Sequence, residues 1–102
     1  MGIEIIDIKT RKEMHLNVKT WTSINKITLG IFPKVGVCYP ISYEDCKLIA
    51  RIIRNYNWYV KNASSYTKKE FNIEDLSDSE INYLEELANF YENAIEGINI
   101  DD

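Results

Sequence analysis

Two periodicities divide the chain. Near the N-terminus, Ile3, Ile5 and Ile8 are interleaved with Glu4, Asp7 and Lys9, with Ile6 out of step; Met14, Leu16 and Val18 then alternate with His15, Asn17 and Lys19. A repeat of two belongs to a strand with one buried face. The polar run Thr10-Arg11-Lys12-Glu13 between them predicts a turn, so this region reads as a β-hairpin. A lone hairpin is marginal in water and needs a helix or a third strand against its apolar face.

The period then lengthens. Trp21, Ile24, Ile27 and Ile31 recur at helical spacing and predict a short helix over residues 21–31, ending near Gly30. The apolar connector Phe32 to Pro40 has two readings: Val35 to Tyr39 as a third, core-forming strand, or an exposed interface loop. Ser42-Tyr43-Glu44-Asp45 resembles a capping box with Asp in place of Glu. The helix behind it places Cys46, Ile49, Ala50, Ile53 and either Tyr56 or Asn57 on one face, and runs to about Lys61. Ser77-Asp78-Ser79-Glu80 is a full capping box. In the last helix Ile81, Leu84, Leu87, Ala88, Tyr91, Ala94, Ile95 and Ile98 cover one half of the wheel, and Gly97 supplies a stop.

These elements predict an α+β fold: an N-terminal hairpin, extended to three antiparallel strands if 35–39 joins it, packed against two long helices and one short one. The length of 102 residues fits a single compact domain over 1–102.

Charge changes this picture more than composition does. All twelve Lys and Arg residues precede residue 70, and the segment from Glu70 to Asp102 holds eleven acids and no cation. The two parts carry +7 and −11, netting −4. On the helix from Tyr43, Lys47, Arg51, Arg54, Trp58 and Lys61 step by four and three and share one side. On the last helix Glu85, Glu86, Glu92 and Glu96 have no Lys or Arg three or four residues on, although helices gain stability from such pairs, whereas Asp78 near its N-terminus has an ordinary place in the helix dipole. Glu92 and Glu96 also fall at its C-terminal end, where the helix dipole disfavours anions. Both apolar faces must meet one core, so the two charged faces are expected to point outward, unable to neutralise each other.

Chemistry finds few candidates. His15 is the sole histidine, and Cys38 and Cys46 lack zinc or redox spacing. Gly30 to Gly36 with Lys34 does not form a phosphate loop, and no Ca²⁺ loop appears. No metal or other cofactor, and no enzymatic activity, is expected. No apolar run approaches the ~18 residues of a membrane span. The start at Met1-Gly2-Ile3-Glu4 lacks a basic-then-apolar leader, and Ile6 spoils a myristoylation motif. A cytoplasmic location follows as an expectation.

The functional expectation is a small acidic, non-catalytic protein-binding module. Its acidic C-terminal helix would block a basic surface of a partner protein through Asp78, Glu85, Glu86, Glu92 and Glu96. Immunity proteins of nuclease toxins and phage-encoded inhibitors of defence nucleases work this way as classes. Two alternatives stand beside it: nucleic-acid binding through Lys47, Arg51, Arg54, Trp58 and Lys61, which the pI near 5.0 disfavours, and a homo-oligomer pairing basic and acidic faces between copies.

Overall fold

A computed structural model describes residues 2–17 and 40–101. The sequence-predicted helix over 21–31, the strand over 35–39 and Cys38 lie outside the described residues.

Strand β1 spans Gly2–Asp7 and β2 spans Glu13–Asn17. They pair antiparallel with Ile5 opposite Met14 and Ile3 opposite Leu16, which keeps Ile5 and Leu16 fully buried. The connection is built by Asp7. Its carboxylate accepts from the backbone N–H groups of Lys9 (2.9 Å) and Thr10 (3.1 Å). Its own N–H donates to the Lys12 carbonyl, and Arg11 takes a left-handed conformation at φ 64°. Asp turns of this kind satisfy a buried carboxylate with local donors. The turn therefore lies before Glu13, which belongs to β2.

Helix α1 is Tyr43–Asn62. The Ser42 hydroxyl accepts from the Asp45 N–H at 3.2 Å and closes its first turn. Cys46, Ile49, Ala50, Ile53, Asn57 and Val60 are its buried positions. Helix α2, Ser65–Glu70, follows after two residues, capped by Ser64. It is too short and polar for its pattern to announce it. Helix α3 is Asp78–Glu92, and its capping box forms in both directions between Ser77 and Glu80.

The last helix departs from expectation at its end. It stops at Glu92 with Asn93 as cap, and Ile98–Asp101 forms strand β3 instead of a further turn. β3 pairs antiparallel with β1, placing Ile98 opposite Asp7 and Ile100 opposite Ile5, so the sheet order is β2-β1-β3. The third strand is thus supplied by the C-terminal segment. The cause lies at Gly97. It adopts φ +91°, and a Cβ there would lie 2.3 Å from the Ile41 carbonyl oxygen. That close approach lets Ile41 and Ile98 exchange backbone hydrogen bonds of 2.8 and 3.0 Å, so the chain leaves the helix and enters the sheet. One face of α1 and one of α3 then close over the sheet around Ile5, Leu16, Ile49, Ile53, Leu87, Tyr91 and Ile98.

Candidate functional site

Helices α1 and α3 lie side by side and antiparallel. Three residues of α1 along their seam establish this: Arg54 reaches Asn89 and Glu92, Asn57 reaches Ile81 and Glu85, and Lys61 reaches Glu85. The two charged faces were expected to stay apart, and here they meet. The reason is rotational. Arg54 and Lys61 flank the core face of α1, Glu85 and Glu92 flank that of α3, and close packing turns these flanks toward each other.

Arg54 Nη2 donates to Asn89 Oδ1 at 2.7 Å and pairs with the Glu92 carboxylate. Glu92 near a helix C-terminus consequently has a cation beside it, which offsets its unfavourable place in the dipole. Lys61 Nζ lies 3.8 Å from Glu85 Oε1. Both pairs are partly solvated, so each contributes about 0–1 kcal/mol. Between them Asn57 is fully buried. Its Nδ2 donates to the Ile81 carbonyl at 3.2 Å and to Glu85 Oε1 at 3.1 Å, and its Oδ1 has no hydrogen-bond partner among the described residues. An amide buried on these two acceptors sets the register of the helix pair.

The basic stripe is thereby divided. Arg54 and Lys61 serve the seam. Lys47 and Arg51 have no carboxylate within ion-pair reach among the described residues; the Lys47 ammonium rests 4.6 Å above the Tyr43 ring. Trp58 is exposed and packs edge-on to Tyr59 at 5.3 Å. The acidic set is divided likewise. Glu85 and Glu92 face α1, Asp78 and Glu86 are exposed on α3 without an ion pair among the described residues, and Glu96 stands in the turn beyond the helix. Glu96 therefore does not belong to an acidic helix face.

Other groups with reactive potential are occupied structurally. Cys46 is buried, and burial, followed by the charges of Asp45 and Asp7, pushes its thiol up to about 12. A thiol that keeps its proton is a poor nucleophile. His15 Nδ1 lies 2.5 Å from Glu4 Oε1, the residue paired with it across β1 and β2, on the exposed side of the hairpin. The Tyr83 hydroxyl donates to the His15 carbonyl at 2.7 Å and ties α3 to the sheet; burial, then Glu86 and Glu4, raises its pKa. Among the described residues no group of three or more His, Cys, Asp or Glu side chains could hold a metal ion, and no helix is long and apolar enough to cross a membrane.

Sequence reasoning placed Asn57 on the apolar face of α1 only as an alternative to Tyr56, and gave Asn89 and Asp7 no specific contact. Asn57 and Asn89 are Asn residues inside helical patterns, where their lower propensity signals a specific contact. Comparison with protein-family models, curated proteins and solved structures returns no match to this chain.

Proposed function

We propose that this chain is a non-catalytic protein-binding module that covers a basic surface on a partner protein, in the manner of an inhibitor or immunity-type antagonist. The observation that carries the reading is the outward side of α3. Asp78, Asn82 and Glu86 are exposed at successive four-residue steps, and neither acid has a cationic partner among the described residues. Glu96 is a further exposed acid, in the turn beyond the helix. Uncompensated charge of one sign attracts an oppositely charged partner and speeds encounter with it. Glu85 and Glu92, spent on the seam, drop from the contact set. The non-catalytic part of the reading is supported by the buried, protonated thiol of Cys46 and by the exposed pairing of His15 with Glu4. A cytoplasmic location belongs to the same proposal and rests on the low cysteine count.

The test is affinity capture with the wild-type chain and with a variant carrying Asp78→Asn, Glu86→Lys and Glu96→Lys. A purified captured partner is then titrated against both at low and high salt. The expected result is salt-sensitive binding by the wild type and at least about tenfold weaker binding by the variant. Equal affinity of the two chains overturns the reading.

A further inference from the structure

Lys47, Arg51, Arg54, Asn55 and Glu92 line a concave site of about 300 Å³. The geometry points to this cleft as a binding site for a phosphate-monoester dianion. Three cations and one carboxylate line it, a local net charge of +2. A phosphate monoester carries about −1.5 to −2 at neutral pH and matches that excess, whereas a carboxylate leaves a positive charge uncompensated.

The side chains are unequally committed. Arg54 is held by Asn89 and Glu92, so its guanidinium is oriented before any ligand arrives. Lys47 is placed over the Tyr43 ring. Arg51 has neither a carboxylate nor a hydrogen-bond partner among the described residues. Like charges four residues apart on a helix cost about 0.2–0.5 kcal/mol, and Lys47 and Arg51 stand at that spacing. Glu44, one turn before Lys47, is not within ion-pair distance of it. The local repulsion that Glu92 relieves for Arg54 is therefore left standing at Lys47 and Arg51, and a dianion bridging them removes it. Arg51 supplies the planar fork suited to phosphate oxygens, Lys47 a point charge, and Asn55 an amide donor at the rim. The cleft does not depend on the α3 acids proposed for partner binding, so the two readings fail independently.

The experiment is an amide-resolved NMR titration of the whole chain at constant ionic strength. One arm uses inorganic phosphate. A second uses a short phosphoserine peptide, with its unphosphorylated form as reference. The expected result is saturable shifts at Lys47 to Asn55 from a phosphate-bearing probe, and affinity at least about tenfold lower in the Lys47→Gln, Arg51→Gln double variant. Both positions are solvent-exposed, and an unchanged thermal midpoint confirms that the variant is folded. Tighter binding of the phosphopeptide assigns the source to a phosphorylated protein; equal binding assigns it to a free phosphate compound. Shifts that do not saturate, that acetate reproduces at matched ionic strength, or that persist in the double variant overturn the proposal.

Discussion

Two stretches of α1 carry the same kind of charge and meet different fates. From Arg54 to Lys61 the cations sit against Glu92 and Glu85, with buried Asn57 between them. One to two turns earlier, Lys47 and Arg51 line a cleft beside the Arg54–Glu92 pair but themselves pair with no carboxylate among the described residues. The difference teaches that charge segregation along this chain serves two ends. Part of it joins α1 to α3, and part stays available at the surface. Only the second part is a candidate for recognition.

The largest expected effect comes from breaking the first stretch at its buried point. Asn57→Asp places a carboxylate beside Glu85 and the Ile81 carbonyl at a fully buried position. A loss of about 3 kcal/mol follows, read as a lower urea midpoint. Gly97→Ala, at the turn that brings β3 beside Ile41, is expected to cost a comparable amount, about 3 kcal/mol, because the clash is with backbone that cannot step aside.

Alkali sharpens the comparison from the core side of the second stretch. Cys46 immediately precedes Lys47 and lies on the buried face of the same helix. In the unfolded chain that thiol ionises near pH 9.0, and in the fold it keeps its proton to about 12. Unfolding therefore releases a proton throughout that window. The stabilising contribution is fully present below about pH 9 and is lost progressively as pH rises toward 12. Tyr91, raised by burial and then by Cys46 and Tyr83, acts in the same direction at higher pH. Urea midpoints between pH 8 and 10 should fall more steeply for the wild type than for Cys46→Ala; parallel curves refute the assignment.

Smaller effects separate the two stretches directly. Arg54→Ala is expected to cost about 1 kcal/mol through loss of Asn89 and Glu92 together. Lys47→Gln with Arg51→Gln should change stability by less than about 0.5 kcal/mol, because no salt bridge is broken and loss of the exposed Lys47–Tyr43 contact is offset by relief of the Lys47–Arg51 repulsion. Equal effects of these two changes, measured by chemical denaturation, dissolve the distinction between the stretches.

The hairpin was legible from its period of two, carried by Ile5 and Leu16 despite Ile6, and both long helices from their apolar faces and the caps Ser42 and Ser77. β3 was hidden because Ala94 and Ile98 continue the phase of α3, and Ala94 is buried just as the helical pattern demands. Only the contact between Gly97 and Ile41, distant in sequence, decides the matter. α2 has no buried residue to give it a pattern. The charged residues themselves were legible, but their division was not. A helical wheel places Arg54 and Glu92 on the borders of their apolar faces without saying which border meets a neighbour. That is set by how α1 rotates against α3, a tertiary property fixed in part by Asn57.

The central claim is that Arg54 and Glu92 form a structural pair across the seam. A double-mutant cycle of Arg54→Ala and Glu92→Ala, read by urea denaturation, tests it most directly. The account predicts a coupling of about 0.5–1 kcal/mol at low salt that shrinks in 1 M salt. A coupling indistinguishable from zero at low salt would contradict it.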